Sequence, residues 1–383
     1  MALRNILNRC AHKLKPYRQF SSSTLISKNF YNSSLPILST PWLMLPPDVK
    51  DGPNGPTDNY LNIIDKSIIK IDRPTAHGSV PFNTMCVGSA KGWVAFECDS
   101  DGSLFLANPY ATEARCRKLP GPSAPIYSEG LHFTLAGDPM SNNFALIMRQ
   151  TGFLPLLISK GGDSERWIYG AKIDYNNGLL KRLETEYSIS RMAYNRKSNT
   201  VYELHLDENS GKLEIICWYP LGDDENGKKK RVLSSCLDPK VVKKYHEFEY
   251  EDSVDRNNVD RYLAVTEQND PRLFLVIRPT TATENGVGCE TKDIELFEID
   301  LEGDGKVECV ESIGDRALFL GANSDPFFIS TRDCSGIKSN CVYVAEELGY
   351  YDLETKCKTP FLSLGDLANT RPQVYWVAPP FFG

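Results

Sequence analysis

The sequence predicts an all-β protein, a β-propeller of five or six blades with three to four antiparallel strands in each blade. Short runs rich in β-branched and aromatic residues recur along most of the chain, and Gly, Asn, Asp, Pro or Ser bounds each run. The runs gather into groups of three or four at spacings of about 40–50 residues, the size of a propeller blade. A two-sheet sandwich is the alternative, but a sandwich rarely needs so many strands.

The stretch Glu311–Glu347 shows the pattern most clearly, because three narrow runs separated by turn residues follow one another within it. Five groups can be counted, and a sixth forms if the Pro-rich entry segment Pro41–Pro81 and the C-terminus complete a blade. The predicted strands are, in chain order, Ile68–Ile71, Gly92–Cys98, Ser103–Ala107, Leu131–Gly137, Phe144–Met148, Leu154–Ser159, Arg166–Ala171, Ile189–Tyr194, Thr200–His205, Lys212–Trp218, Arg261–Thr266, Arg272–Ile277, Asp293–Asp300, Lys306–Ile313, Ala317–Leu320, Phe327–Ser330, Cys341–Ala345 and Tyr350–Leu353.

A charged stretch interrupts the strands between Asp223 and Asp260. It carries the basic run Lys228–Arg231 and then alternating charges, with almost no strand signal. The stretch predicts a loop insertion at 223–260 within a single propeller domain at 41–383, with a short helix at Val241–Glu247. The basic run matches a nuclear signal or a nucleic-acid contact, but its acidic neighbours favour a solvated loop.

Residues 1–40 differ from the rest and are predicted to be an organellar transit peptide, helical or disordered. Apolar residues gather on one side of a helical wheel and basic residues on the other, Pro16 ends the helix, and a Ser-rich stretch without acidic residues follows. The segment Arg18–Ser22 resembles a mitochondrial processing pattern, which favours mitochondria over plastids. A disordered basic tail on a cytosolic or nuclear protein is the alternative.

The charge balance argues against nucleic acid and anionic membranes as partners. The formal net charge is −7, and the first 47 residues contain six basic residues and no acidic one. The remaining 37 basic and 50 acidic residues give the body of the chain a net charge of −13. The most apolar window, Phe144–Ser159, is interrupted by Arg149 and Gln150. It is too short for a membrane-spanning helix of about 20 residues, so the sequence predicts a soluble protein.

The eleven cysteines are spread along the chain without a CxxC pair or a Cys/His cluster at zinc-finger spacing. Cys98, Cys217, Cys309 and Cys341 lie in apolar runs, so they are predicted to be buried free thiols. An odd number of cysteines without a disulfide framework is typical of a reducing compartment.

No motif in the sequence predicts a nucleophile, a phosphate loop or a dinucleotide-binding turn. His77, His132, His205 and His246 are far apart, and none forms a metal-binding pair with another His or a Cys. The segment Gly88–Gly92 is the nearest approach to an anion-binding loop, but it precedes a strand and not a helix, so a turn is favoured.

Two charged pairs invite a functional interpretation, Asp315-Arg316 and Glu346-Glu347. An Asp at a turn commonly accepts backbone N–H bonds and an Arg braces a neighbouring blade, so a structural role is favoured for the first pair. The two glutamates alternate across a strand or lie in a turn, and nothing marks them as an acid/base couple. The sequence therefore predicts no catalytic residue, no cofactor and no metal ligand, and it does not identify the binding residues.

Six segments carry a resemblance to a known family: Pro41–Pro46, Gly88–Trp93, Ser103–Pro109, Ile294–Leu301, Ser312–Gly321 and Gly336–Tyr343. They span about Pro41 to Trp376 and resemble the plant DUF295 group, the KIB-type β-propeller domain often found attached to F-boxes. The run Ser312–Gly321 is the most specific of them. The resemblance implies a kelch-like propeller from a plant and brings no catalytic residues.

For members with an F-box, the resemblance implies presentation of targets to a ubiquitin ligase. The segment before Pro41 leaves no room for an F-box module of about 40–50 residues, so the chain resembles an organellar branch without an F-box. We therefore expect a non-enzymatic mitochondrial propeller that binds a protein partner on one face of the ring. The alternatives are an F-box-type substrate adaptor of a ubiquitin ligase, and a hydrolase or lyase with a site in the propeller channel.

Overall fold

The computed structural model describes residues 40–46, 57–72, 84–111, 115–121, 131–150, 157–160, 167–169, 188–207, 210–220, 229–250, 258–267, 271–283, 289–302, 305–362 and 374–379. These residues form strands and a single helix, so the predicted all-β class is confirmed. The predicted transit peptide lies outside the described residues, apart from its last position. The two ends of the predicted insertion, 223–228 and 251–257, lie outside them as well.

The described elements are 26 strands and one helix. They are β1 (Trp42–Leu45), β2 (Thr57–Asn62), β3 (Ile68–Asp72), β4 (Thr84–Ala90), β5 (Trp93–Cys98), β6 (Leu104–Asn108), β7 (Arg115–Leu119), β8 (Leu131–Gly137), β9 (Phe144–Gln150), β10 (Leu157–Lys160), β11 (Trp167–Tyr169), β12 (Ser188–Asn195), β13 (Thr200–Asp207), β14 (Lys212–Trp218), β15 (Lys229–Cys236), α1 (Pro239–Tyr250), β16 (Asn258–Val265), β17 (Leu273–Ala282), β18 (Cys289–Thr291), β19 (Glu295–Ile299), β20 (Val307–Val310), β21 (Arg316–Gly321), β22 (Ser324–Ser330), β23 (Cys341–Val344), β24 (Gly349–Asp352), β25 (Lys358–Pro360) and β26 (Tyr375–Val377).

Backbone pairing joins these strands into five sheets, the largest with nine strands. A junction of one residue pair separates that sheet into two groups, which gives six mainly antiparallel groups in all. They are sheet 1 (β26, β1, β2, β3), sheet 2 (β4 to β7), sheet 3 (β8 to β11), sheet 4 (β12 to β15), sheet 5 (β16 to β20) and sheet 6 (β22, β21, β23, β24, β25). One parallel pair, Ser324 with Ser89, also joins sheet 6 to sheet 2. Because several connecting segments lie outside the described part of the chain, the predicted blade number stays a prediction.

The six sheets follow one another around a closed ring. One edge strand of each sheet contacts its counterparts on both sides, in the order β4, β8, β12, β16, β22, β26 and back to β4. A separate apolar core fills each gap between successive sheets, and the sixth core, between sheets 6 and 1, closes the circle. A sandwich would have one core between two layers. Six radial cores therefore exclude the sandwich alternative for the described residues.

The two ends of the chain meet in sheet 1, where the C-terminal strand β26 pairs with β1. The hydroxyl group of Tyr110, from sheet 2, reinforces the junction, with its oxygen 3.0 Å from the carbonyl of Thr40 and 2.9 Å from that of Val377. It also accepts the N–H of Trp42. The entry segment and the C-terminus thus complete a sheet, as the six-blade interpretation predicts. Strands β1 and β2 lie in the entry segment before Ile68–Ile71, the first strand predicted there.

The predicted loop insertion at 223–260 is wrong in one part. Residues 229–236 form β15, which pairs along β14 as the outermost strand of sheet 4. An outermost strand does not have to alternate apolar and polar residues as strictly as a central one. The basic run at the start of β15 therefore predicted a loop and not a strand. The predicted helix is present and longer, as α1, and Asp238 caps its first turn by accepting the N–H of Lys240.

The segment Gly88–Gly92 is a strand end and not a turn alone. Residues 88–90 belong to β4, and the turn is limited to Lys91 and Gly92, both with positive φ. A Cβ on Gly88 would lie 2.1 Å from Cε1 of Phe133 and 2.3 Å from the carbonyl oxygen of Asn323. Glycine is therefore needed here because sheets 3 and 6 approach the backbone of β4 closely.

Candidate functional site

Three charged side chains and one hydroxyl group, from four sheets, meet beside β22, which contacts β4, β8 and β16 inside the ring. The ammonium group of Lys91 lies 2.5 Å from Oε1 of Glu267 and 3.8 Å from Oδ2 of Asp325. Thr134 donates its hydroxyl hydrogen to the same Asp325 oxygen at 2.9 Å. We call these four residues the central charged cluster.

Local backbone features place each member of the central charged cluster. Lys91 occupies a left-handed turn position between β4 and β5, with φ of 49°, and Glu267 follows the end of β16. The second oxygen of Glu267 accepts the backbone N–H of Arg196 at 3.1 Å. Asn195 donates from its amide nitrogen to the carbonyl of Thr266 at 3.1 Å. The turns that follow β4 and β12 and the end of β16 are therefore tied together.

Burial and charge act on the cluster in opposite directions. Burial raises the pKa of Asp325 to about 6, although the Lys91 ammonium and the Thr134 hydrogen bond counteract the rise. Burial alone would lower the pKa of Lys91, but the carboxylates of Glu267 and Asp325 outweigh it and raise this pKa. Lys91 therefore stays protonated, whereas Asp325 gains a proton in mildly acidic solution.

A carboxyl group with a pKa near 6 is suited to proton transfer, provided that a substrate can reach it. The Asp325 side chain is only 3% exposed, while Lys91 and Glu267 are 20% and 18% exposed. Each oxygen or nitrogen in the contacts above already faces a partner from another sheet. The arrangement thus braces the inside of the ring and leaves Asp325 little access to a reactant.

A second group of charges surrounds Arg278 in the gap between sheets 5 and 6. Its guanidinium group lies 3.4 Å from Asp260, 3.4 Å from Glu346 and 3.1 Å from Glu347. It also donates to the hydroxyl groups of Tyr262 and Thr291. We call this set the Arg278 cluster.

The Arg278 cluster holds two sheets together through a side chain that is 3% exposed. Burial disfavours the charge of Arg278, yet the neighbouring Tyr262 and carboxylates raise its pKa, so it stays a cation. Burial raises the pKa of Glu346, and the Arg278 charge opposes that rise. Glu346 also accepts the backbone N–H of Ala322 in the turn before β22. One arginine therefore fixes the turn of sheet 6 against sheet 5.

A family model, the KIB1-4 β-propeller, matches residues 60–364. The chain belongs to the KIB1-4 β-propeller family. This membership confirms the predicted KIB-type resemblance, and together with the closed ring of sheets it confirms the predicted propeller class.

Solved structures of propellers are similar to this KIB1-4 chain only at a low level. A putative 6-phosphogluconolactonase from Bacteroides fragilis is 10% identical, with 71% of this chain and 81% of that chain covered and a TM-score of 0.31. The β-propeller domain of Cps50 (Swd1) from Myceliophteria thermophila is 9% identical, with 88% and 100% covered and a TM-score of 0.31. Likenesses at this level carry no functional argument. No curated protein matches the sequence.

Two histidine side chains lie in the described part of this KIB1-4 propeller, His132 on the inner strand β8 and His205 on β13. Nε2 of His205 lies 3.2 Å from Oε1 of Glu203, and both side chains are buried on β13. The 3.2 Å contact is not aligned as a hydrogen bond. This histidine–glutamate pair lies on β13, the second strand of sheet 4, and not on the inner strand β12. It is therefore not a site in the propeller channel, which the enzyme alternative requires. His77 and the side chain of His246 lie outside the description.

The two charged pairs singled out in the sequence have different partners from those their spacing suggests. Asp315 pairs with Arg332 at 2.8 Å on the surface, not with the adjacent Arg316. Glu346 and Glu347 both join the Arg278 cluster. The sequence did not indicate Arg278, Glu267 or Asp325. Their one local signal is a charge inside or beside a strongly apolar strand run.

The ten cysteines in the described part of the chain are free thiols. Cys98, Cys217 and Cys341 are buried as predicted, but Cys309 is exposed because it lies on β20, the outermost strand of sheet 5. Among the described residues, no group of three or more His, Cys, Asp and Glu side chains is placed to hold a metal ion. No described helix has the length and apolar character needed to cross a membrane.

Proposed function

We propose that this chain is a non-catalytic protein-binding propeller that works in plant mitochondria. The proposal rests on the contacts that the charged side chains of the two clusters make. They join one sheet to another and fix the positions of the turns, as scaffolds that present binding loops require. Membership of the KIB1-4 β-propeller family is consistent with an interaction domain.

The catalytic alternative has its best candidate in Asp325, because a carboxyl group with a pKa of about 6 beside a lysine resembles an acid/base pair. Catalysis would require a reactant to approach within hydrogen-bond distance of that carboxyl group. The carboxyl group is nearly fully buried and bonded to Thr134, so the geometry favours bracing over catalysis.

The mitochondrial part of the proposal rests on the composition of residues 1–40. A basic amphipathic segment without acidic residues is drawn inward by the membrane potential of mitochondria. Imaging of a fusion tagged at its C-terminus tests this part. We expect mitochondrial signal, whereas nuclear signal without mitochondrial signal would support the ubiquitin-ligase adaptor instead.

Proximity labelling in isolated plant mitochondria tests the binding function. The full chain is fused at its C-terminus to a labelling enzyme, and the control is the same enzyme fused to residues 1–40 alone. We expect proteins that the full chain labels and the control does not. Absence of any enriched protein would overturn the binding function, and turnover of a metabolite by the purified chain would then favour an enzyme.

A further inference from the structure

Two hairpin turns of adjacent sheets lie side by side on the ring. The β8–β9 turn covers residues 138–143, and the β12–β13 turn covers residues 196–199. The core between sheets 3 and 4 contains Ala136 and Tyr194, each one residue before the end of its strand. It also contains Ala145 and Val201, each the second residue of the following strand. The two turns therefore project from one shared core. We call them the turn surface.

The β8–β9 turn is held rigidly and still exposes a large apolar side chain. Asp138 accepts the backbone N–H of Met140 at 3.0 Å, and Ser141 bridges the turn through its hydroxyl group. From sheet 2, Arg117 donates to the carbonyls of Pro139 and Ser141 at 2.7 and 2.9 Å. Met140 is nevertheless 47% exposed, one of two exposed large apolar side chains in the described residues.

The neighbouring β12–β13 turn presents two cations. Arg196 and Lys197 are both exposed, and neither has a carboxylate within ion-pair distance among the described residues. The backbone of this turn is fixed, because Glu267 accepts the N–H of Arg196 and the Asn195 side chain accepts the N–H of Ser198 at 3.0 Å. Two carboxylates lie at this surface. Oδ1 of Asp138 is engaged inside its own turn, and Glu267 bonds to Lys91 and to the Arg196 backbone.

We propose that the turn surface binds an acidic peptide segment that carries an apolar side chain, which deepens the proposed protein-binding function and rests on it. Carboxylates of the partner contact Arg196 and Lys197, and the apolar side chain packs against Met140. Charge complementarity supports this occupant, because two adjacent unpaired cations stand out on a chain with a net charge of −7. Methionine suits the apolar contact, since its flexible, polarisable side chain adapts to many partners.

A nucleic acid fits the same surface less well. Its backbone carries one charge at each phosphate and needs an extended row of cations, whereas the acidic body of this chain repels it. Because both turns are already ordered, this chain loses little conformational entropy when a partner docks.

Fluorescence anisotropy with the purified full chain tests the proposal. The probe is a short fluorescein-labelled peptide of glutamates around one central leucine. Matched peptides replace the glutamates by glutamine or the leucine by serine, and a labelled single-stranded DNA serves as the nucleic-acid arm. The variants are Met140→Ala and the double variant Arg196→Glu/Lys197→Glu. The controls are Met85→Ala, at the other exposed methionine, and Lys240→Glu/Lys243→Glu on α1.

We expect the acidic leucine peptide to bind best and its affinity to fall as salt rises. The double charge reversal should weaken binding by about tenfold or more and Met140→Ala by about fivefold, while the controls change it little. Equal binding of the glutamine peptide, equal losses in the control variants or tighter binding of DNA would each overturn the proposal. All the substituted side chains are exposed, so the circular dichroism spectra should stay unchanged. An unchanged spectrum shows that a loss of binding is not a loss of folding.

Proximity labelling with the charge-reversed variant distinguishes a failure of the turn surface from a failure of the proposed binding function. If the wild-type chain enriches proteins and the charge-reversed variant enriches the same proteins equally, the turn surface is refuted and the binding function stands. If the wild-type chain enriches none, the proposed function itself fails. Zero-length cross-links from Lys197 to aspartates or glutamates of an enriched protein would support both.

Discussion

Replacing Asp325 by asparagine should stabilise the protein in neutral and alkaline solution. Burial raises the pKa of this carboxyl group from its ordinary value of 3.8 to about 6, so the fold disfavours the ionised form. A shift of about two pKa units corresponds to about 3 kcal/mol at 1.36 kcal/mol per unit. The amide oxygen of asparagine can still accept the hydrogen bond from Thr134.

The sign of the pH dependence follows from proton binding. Between pH 3.8 and about 6 the folded chain holds a proton on Asp325 that the unfolded chain has lost. The free energy of unfolding therefore falls as the pH rises through this window, and the full penalty is present above it. The asparagine variant lacks this penalty. Its advantage should reach up to about 3 kcal/mol at pH 8 and vanish near pH 4.

Urea unfolding followed by tryptophan fluorescence, at several pH values from 4 to 8, measures the effect. Thr134→Val is the matched comparison: it removes the hydrogen bond that lowers the pKa of Asp325, so the loss of stability should extend to higher pH and be larger in total. An asparagine variant that is less stable than the parent at pH 8, or that has the same pH slope, would refute the reasoning. The charge of Asp325 would then be a net stabilising contribution to the cluster.

Three further substitutions test the ring by urea unfolding. Gly88→Ala should cost about 3 kcal/mol or more, because the new Cβ would overlap Phe133 and a backbone oxygen of sheet 6. Arg278→Met should cost about 1.5–3 kcal/mol, because it leaves three partly exposed carboxylates without their buried cation. Tyr110→Phe should cost about 1–3 kcal/mol, because the buried junction of the chain ends loses its hydroxyl partner.

Controls for these predictions come from the same chain. Gly314→Ala meets no atom within 4 Å, so it should show only the modest cost of a positive φ and lose far less than Gly88→Ala. Equal losses at the two glycines would contradict the close-approach argument. A cost below about 1 kcal/mol for Arg278→Met would mean that the three carboxylates are satisfied without it. An unchanged Tyr110→Phe variant would show that the β1–β26 pairing suffices for closure.

Local patterns predicted most strands because a strand in this ring needs apolar residues at alternate positions and turn residues at its ends. The predicted bounds of Leu131–Gly137 and Lys212–Trp218 coincide with β8 and β14. The alternating pattern did not predict the strands that lack alternate apolar and polar residues. The outermost strand β15 is rich in lysine, and β1 is a four-residue strand in a Pro-rich segment, buried at every position.

The sequence by itself determined the all-β class and the family resemblance, since both depend on short segments whose residues lie next to one another. It did not determine which charges meet. Lys91 and Glu267 are 176 residues apart, and only closure of the ring brings them into contact. Arg278 and Glu347 are 69 apart and meet only when sheets 5 and 6 pack together. The strength of such pairs, and the pKa of Asp325, depend on burial between sheets, and burial exists only after the sheets have packed together.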